Sequence, residues 1–204
     1  MKPNIIYLHG FNSGPNPHSE KNKLLGTFGT LHCLKYDSFA PHEDVYSELL
    51  TQIESIEDPV FVGTSLGAYW AQVFGEAWCA PSVLINPLMN PAKYFHARRG
   101  ERILNTKTSR SQTVTEEMAK SYIGQSLVTY LDDAAIAPLV LLDTEDEVLD
   151  SYRTAETFRS LGDDATFMIH MFEGGNHRFA HMKEAILPIQ KYINLAQTTG
   201  DCNT

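Results

Sequence analysis

The sequence predicts an α/β fold in which a mostly parallel central sheet of about six strands carries helices on both faces. Six short apolar runs, rich in β-branched residues, alternate along the chain with segments whose apolar residues recur at helical spacing. The runs are nearly continuous in their apolar character, which is typical of strands buried on both faces of a parallel sheet. A length of 204 residues fits a single domain of this kind.

Strand predictions follow the apolar runs, and the first of them ends at the turn-forming pair His9-Gly10. The predicted strands are Asn4–Leu8, Leu31–Tyr36, Pro59–Thr64, Ser82–Asn86, Pro138–Asp143 and Ala165–Phe172. Helices are predicted between them, where apolar residues are three or four positions apart with charged residues in between. The predicted helices are His42–Ser55, Leu66–Trp78, 150–160 and 179–195.

One domain, residues 1–195, is expected, with a lid-like insertion at about 90–133 and a polar, disordered tail at 196–204. The insertion is too long for a plain connection, and long insertions in compact domains are commonly lids or binding loops. Between residues 91 and 110 it is locally basic, with a single acidic residue, Glu101. Its cations are Lys93, Arg98, Arg99, Arg102, Lys107 and Arg110.

Composition narrows the classes of function. The formal net charge of −9 argues against a general nucleic-acid-binding protein, which needs a basic face. The apolar runs are too short to span a bilayer, and the N-terminus carries no secretory leader pattern. Cys33, Cys79 and Cys202 form no CxxC pair, so neither a zinc site nor a disulfide framework is expected. These features predict a soluble cytoplasmic protein, either a monomer or a homodimer.

A nucleophile is predicted where the third strand meets the following helix. The turn reads Gly63-Thr64-Ser65-Leu66-Gly67, a GxSxG pattern at a strand-to-helix junction. Such a turn holds the serine above the carboxyl edge of the sheet, and the glycines permit close backbone approach. The helix N-terminus also favours negative charge developing beside the hydroxyl. The alternative interpretation is an ordinary glycine-rich turn.

A serine nucleophile needs a base and an orienting acid, and the α/β-hydrolase arrangement places them in the chain order Ser, Asp or Glu, His. His177 follows the last predicted strand in a Gly-rich loop and is the predicted base. Asp146 is the preferred acid because it lies three residues beyond the fifth strand. Asp150 and Glu145 remain open as alternatives.

An oxyanion hole requires two backbone N–H groups aimed at the developing charge. Leu66, directly after the nucleophile, is expected to supply one, and Phe11, after the His9-Gly10 turn, the other. His9 itself is predicted to be structural and to pack beneath the site. Pocket walls are expected from Phe11, Tyr69, Tyr94 and Phe95.

Five blocks of sequence resemble the YqiA/YcfP-type small bacterial esterases of the α/β-hydrolase superfamily, from Asn4 to about Ile193 and more weakly between 92 and 135. They are YLHGFNSGP, FVGTSLGAYWA, INPLMNP, TEDEVLDSYR and GGNHRF. The resemblance implies hydrolysis of carboxylic esters or thioesters by Ser65, Asp146 and His177. The approach to the acid departs from the usual Gly-rich pattern, since Asp143-Thr144-Glu145 precedes Asp146.

The expected substrate is therefore a small ester or thioester with a short to medium acyl chain, cleaved without a metal or an organic cofactor. The basic segment at 91–110 suggests two interpretations: a grip on an anionic leaving group such as coenzyme A, or a solvated lid face. A non-catalytic binding protein and a non-hydrolytic enzyme on the same scaffold are the alternative functions.

Overall fold

In the part of the chain that the structure describes, six parallel strands form the central sheet and two further strands form an antiparallel hairpin outside it. The computed structural model describes residues 2–105, 108–131, 135–161 and 168–199. The strands are β1 (Asn4–Leu8), β2 (Thr30–Cys33), β3 (Pro59–Thr64), β4 (Ser82–Ile85), β5 (Arg102–Asn105), β6 (Arg110–Thr113), β7 (Leu139–Asp143) and β8 (Met168–Phe172). The sheet order is β2-β1-β3-β4-β7-β8, which confirms the predicted fold class.

Among the described residues, seven α-helices accompany these strands, together with one 3₁₀ helix at Leu127–Tyr130. The α-helices are α1 (Glu20–Leu25), α2 (His42–Ile53), α3 (Leu66–Ala77), α4 (Pro91–Ala97), α5 (Glu116–Ser121), α6 (Ser151–Leu161) and α7 (Met182–Thr199). The short helices α1, α4 and α5 begin at side-chain caps, because Ser19, Asn90 and Thr115 each accept a hydrogen bond from a first-turn N–H.

Successive side chains of a strand point to opposite faces of the sheet, so the hydrophobic core is divided between the two faces. In β1, Ile5 and Tyr7 pack with α1 and α7, whereas Ile6 and Leu8 pack with α2, α3 and α6. Both faces of the central strands are thus buried, which explains why their sequences read as continuous apolar runs.

The order of the strands creates a crevice at the carboxyl edge of the sheet. The chain runs from β1 outward to β2 and then returns to β3 on the other side of β1. Loops leaving β1 and β3 therefore diverge toward opposite faces, and such a reversal is where α/β proteins bind their ligands. Gly10 follows β1 and Ser65 follows β3, so the predicted site lies at this point.

Several predicted elements differ from the structure. β2 ends at Cys33 instead of Tyr36, because the chain turns inward there and the Tyr36 hydroxyl donates to the carbonyl of His9. β8 begins at Met168, and the predicted strand start at 165 lies outside the described residues. The β5–β6 hairpin and helices α1, α4 and α5 were not predicted.

The C-terminal helix and one cysteine also depart from expectation. α7 continues to Thr199, four residues into the segment for which disorder is expected, and residues 200–204 lie outside the described part of the chain. Cys79 is disulfide-bonded, and Cys33 is a free cysteine. No helix in the described residues is long and apolar enough to cross a membrane.

Candidate active site

The backbone at Ser65 is strained. Ser65 has φ 58° and ψ −119°, a conformation that a side chain with a Cβ rarely adopts, and it stands at the N-terminal end of α3. Its backbone is held on both sides, since its N–H donates to Ile85 O at 2.9 Å and its carbonyl accepts from Leu88 N–H at 3.1 Å. Positive φ in a well-held serine between a strand and a helix is the geometry of a nucleophile turn.

The glycines of the GxSxG pattern are required by close backbone packing. A Cβ on Gly63 would lie 1.9 Å from the carbonyl oxygen of Gly67, and one on Gly67 would lie 2.1 Å from that of Leu8. A Cβ on Gly10 would lie 3.4 Å from the Ser65 Cβ. The first turn of α3 therefore sits directly against the end of β1, and the loop after β1 borders the serine.

Gly67→Ala is expected to destabilise the protein by about 3 kcal/mol, because the new Cβ overlaps backbone atoms that can move only if β1 moves. Gly14→Ala is the matched control, since a Cβ there meets nothing within 4 Å and should change stability by less than about 0.5 kcal/mol. Urea unfolding of both variants measures the difference. Equal midpoints for the two variants would contradict the packing argument.

His177 and Asp146 form a hydrogen-bonded pair across two loops. His177 Nδ1 lies 2.9 Å from one carboxylate oxygen of Asp146 and 2.8 Å from the other. The Asp146 side chain is 1% exposed, and its Oδ1 also accepts from the N–H groups of Val148 and Leu149. A carboxylate fixed in this way holds the ring through Nδ1–H and leaves Nε2 as a proton acceptor.

The neighbouring carboxylates contact other groups. Glu147 accepts a hydrogen bond from the backbone N–H of His177 at 2.9 Å, which lowers the pKa of the Glu147 carboxyl. Asp150 accepts from Arg153 N–H at the start of α6, and Glu145 is exposed. Of the carboxylates left open by the sequence, the structure brings Asp146 to the His177 ring.

A second acid–histidine pair lies beside the first and was not predicted. Asp143, which is fully buried at the end of β7, binds His181 Nδ1 through Oδ1 at 2.8 Å. Its Oδ2 accepts from the N–H groups of Asn176 and Ala180 at 3.0 and 2.7 Å. These contacts bracket His177, so Asp143 anchors the loop that carries the predicted base.

Asn86 extends this anchor to the neighbouring strand. Its Oδ1 accepts from Asp143 N–H at 2.9 Å, and its amide nitrogen donates to the carbonyls of Asn176 and His177. Asn86 belongs to the sequence block INPLMNP and directly follows a predicted apolar strand. A polar residue at this position is the sequence signal that could have identified Asn86 as part of the site.

The predicted oxyanion donors lie on either side of the serine turn. Leu66 is the first residue of α3, where backbone N–H groups have no partner within the helix. Phe11 follows Gly10 on the other side, and its ring packs 4.5 Å from Phe39 and 5.2 Å from Phe95. Packing of the Phe11 ring fixes the backbone of this loop beside Ser65.

A cavity of about 860 Å³ opens above these residues. Ser65 and His177 both line it, as do Phe11 and Tyr94 from the predicted pocket walls. The structure places Tyr69 and Phe95 elsewhere, as fully buried core residues outside the cavity lining. Tyr69 faces the interior because α3 is buried on all sides, and its hydroxyl lies 2.9 Å from His42 Nε2.

His9 lies beneath the turn as a buried side chain. Its ring stacks on Tyr36 at a centroid distance of 4.1 Å, and its Nδ1 lies 2.9 Å from the carbonyl of Gly10. Burial lowers the pKa of His9, so the neutral ring is favoured. This placement agrees with the structural role expected for it.

The lid-like insertion forms one wall of the cavity through the β5–β6 hairpin. Two reciprocal hydrogen bonds attach it to the loop after β1: the Asn105 amide donates to Asn12 O at 3.0 Å, and the Asn12 amide donates to Leu104 O at 3.2 Å. We call this pair of contacts the Asn12–Asn105 clasp. It connects the hairpin to the loop that contains the predicted oxyanion donor Phe11.

Two cations of the basic segment, Arg98 and Arg99, pair with glutamates. Arg98 lies 3.9 Å from Glu101 and stacks over the Tyr94 ring at 3.9 Å. Arg99 and Lys120 both pair with Glu116. Lys107 of the predicted basic cluster lies outside the described residues. Arg98 is the member of the cluster that lines the cavity within the described part of the chain.

Comparison with known proteins first establishes the class: the chain has an α/β-hydrolase fold. Est1E from Butyrivibrio proteoclasticus superposes with a TM-score of 0.73 at 12% identity, covering 97% of this chain and 89% of that one. A monoacylglycerol lipase from Paleococcus ferrophilus also gives 0.73 at 12% identity, covering 95% and 94% of the two chains.

The family follows from sequence. Residues 4–194 match the model of UPF0227, described as an uncharacterised protein family, and the chain belongs to that family. A UPF0227 protein from Shewanella sp. strain MR-4 is 27% identical over 194 residues, covering 92% of this chain and 98% of that protein. One from Vibrio campbellii is 26% identical over 197 residues, covering 93% and 99%.

Proposed function

We propose that this protein is a serine hydrolase that cleaves carboxylic esters or thioesters of short to medium acyl chain length. The observation that carries the proposal is the bond between His177 Nδ1 and the buried Asp146 carboxylate, on a loop that borders the same cavity as Ser65. A strained serine, a histidine and a buried acid are the three groups that acyl transfer through a covalent intermediate requires. The esterase and lipase among the structural neighbours are in keeping with this chemistry.

In the proposed mechanism, Ser65 Oγ attacks the carbonyl carbon of the ester while its proton passes to His177 Nε2. Asp146 holds the resulting imidazolium through Nδ1–H. The N–H groups of Leu66 and Phe11 stabilise the oxyanion of the tetrahedral intermediate. The intermediate then collapses, the alcohol or thiol takes the proton from His177, and the acyl group remains on Ser65.

Deacylation repeats these steps with water as the nucleophile. His177 removes a proton from the water as its oxygen attacks the acyl carbon, and returns it to Ser65 Oγ as the carboxylic acid departs. Every proton transfer uses side chains of this polypeptide, so the proposal requires neither a metal nor an organic cofactor.

Reaction with a fluorophosphonate, followed by intact-mass measurement, tests for an activated serine. We expect one adduct on the wild-type protein, none on Ser65→Ala, and labelling at least about 100-fold slower on His177→Ala. Ser13→Ala is the matched control, since this exposed serine also lines the cavity and should label like the wild type. A wild-type protein without an adduct, or an adduct that persists in Ser65→Ala, would contradict the proposal and favour a binding protein on this scaffold.

A panel of p-nitrophenyl esters and matched thioesters from two to twelve carbons then defines the substrate. We expect turnover to be highest for acyl chains of short to medium length. Hydrolysis that is undetectable for all of them, in a protein that labels at Ser65, would indicate a non-hydrolytic enzyme instead.

A further inference from the structure

The cavity contains a lysine that the proposed mechanism does not use. Lys21, in α1, is half-buried and lines the same cavity as Ser65 and His177. Its Nζ donates a 2.8 Å hydrogen bond to Oγ1 of Thr64, the residue that immediately precedes Ser65. The Thr64 hydroxyl in turn lies 3.1 Å from the Tyr7 hydroxyl. A cation is thus fixed one residue away from the predicted nucleophile.

This cation has little compensation from the protein. Within the described part of the chain no carboxylate lies within 4 Å of Lys21 Nζ, although the Tyr7 and Phe179 rings lie 6.0 and 5.9 Å from it. Asp143 attracts the Lys21 charge, but its carboxylate is already bound to His181 and two backbone N–H groups. Burial lowers the pKa of Lys21 to about 7, against the opposing attraction of Asp143.

Other cations on the cavity wall are exposed or paired, and Arg178 is an exposed one. Lys183 is 72% exposed at its side chain and pairs with Glu20 at 3.0 Å. Arg98 pairs with Glu101 and stacks on Tyr94. An ammonium group has three N–H donors, and the structure shows one Lys21 hydrogen bond among the described residues, to Thr64. Burial without a counter-ion disfavours the charged form of Lys21, as its lowered pKa indicates, and an anionic ligand would favour the charged form again.

We propose that Lys21 binds an anionic group of the substrate, so that the protein prefers esters that carry a carboxylate near the scissile bond. This inference rests on the proposed hydrolase function, because it assigns the substrate class of the same site. The carboxylate occupies the position of the missing counter-ion, and the Thr64 hydroxyl holds the ammonium toward the cavity beside Ser65. The carboxylate belongs either to the acyl part or to the leaving group.

Two pairs of fluorogenic esters separate these two sources. For the acyl side, 4-methylumbelliferyl hemiglutarate is compared with 4-methylumbelliferyl valerate, which has the same number of acyl carbons. For the leaving group, 7-butyryloxycoumarin-3-carboxylate is compared with 7-butyryloxycoumarin. We expect kcat/KM to be about 10- to 100-fold higher for the anionic member of one pair, as a hydrogen bond to a charged group allows.

Lys21→Met should bring that ratio close to one, whereas Lys23→Met, an exposed position on the same helix, should leave it unchanged. Equal rates within both pairs for the wild-type protein would overturn the proposal, even if Lys21→Met does not fold. A preference that survives in Lys21→Met would overturn it as well.

Binding to Ser65→Ala separates this inference from the proposed function. Calorimetric titration with monomethyl glutarate and with methyl valerate measures recognition without turnover. Tighter binding of the glutarate ester, with no hydrolysis by the wild type, would support Lys21 as an anion site and contradict the proposed hydrolase function. Hydrolysis of neutral esters, with equal binding of both ligands, would support the hydrolase function and contradict the anion site at Lys21.

Discussion

Asp146→Asn is expected to lower kcat for ester hydrolysis by about four orders of magnitude while leaving the protein folded. The asparagine oxygen can still accept from the N–H groups of Val148 and Leu149, so the loop keeps its shape. The amide nitrogen then occupies the position 2.8 Å from Nδ1 and donates to it, so the ring proton moves to Nε2 and His177 loses its free base. The measurement is steady-state hydrolysis of the best p-nitrophenyl ester, with unfolding monitored in parallel.

Three neighbouring carboxylates provide the controls. Glu145→Gln and Asp150→Asn should retain activity within a few-fold, because neither side chain contacts the His177 ring. Glu147→Gln should also have a small effect, since the amide oxygen can replace the acceptor for His177 N–H. A larger loss in Glu145→Gln or Asp150→Asn than in Asp146→Asn would assign the orienting acid elsewhere.

Asp143→Ala is expected to reduce the free energy of unfolding by about 3–5 kcal/mol, because three donors lose the buried carboxylate that accepts their hydrogen bonds. His181 Nδ1 and the N–H groups of Asn176 and Ala180 all lose their acceptor. For a protein of this size the loss corresponds to a fall in Tm of roughly 10 °C. Denaturant unfolding and a thermal scan measure it.

The same variant should also slow fluorophosphonate labelling of Ser65, since the loop that carries His177 is no longer tied to β7. Asp143→Asn is the matched comparison, because it retains one acceptor oxygen and should be destabilised less. Asp146→Asn should show the opposite pattern, with low activity and nearly unchanged stability. A fully stable Asp143→Ala variant would show that the hydrogen bonds of Asp143 to the residues on either side of His177 contribute little to the stability of the protein.

Local patterns allowed much of the sheet and the strand-to-helix turn at Ser65 to be predicted. Strand β3 and the turn at Ser65 are defined by contiguous residues, and Gly63 and Gly67 are required by contacts within that short segment and with β1. The meeting of Asp146 and His177, 31 residues apart, followed from the rule that parallel strands end at one edge of a sheet. Which carboxylate meets the ring depends on loop geometry, which the acidic run between 143 and 150 does not reveal.

Other features of the structure could not be predicted, because no pattern in the neighbouring residues indicates them. The β5–β6 hairpin is polar, with both end residues of β6 exposed, so it lacks the apolar alternation that identifies a strand. Helix α3 is buried at ten consecutive positions, and the sequence therefore could not tell whether Tyr69 faces the cavity or the core. Lys21 lies in a six-residue helix, and its significance depends on contact with Thr64, 43 residues away.

The Asn12–Asn105 clasp has a consequence for how such a protein diversifies. The wall of the cavity formed by the hairpin is outside the central sheet and is joined to the loop after β1 by side-chain amides. Substitutions in the hairpin can therefore reshape the entrance without displacing Ser65, His177 or Asp146, which are held by the sheet and its edge loops. In the proposed hydrolase, the residues that would select the substrate and those that would react with it therefore lie in separate parts of the chain.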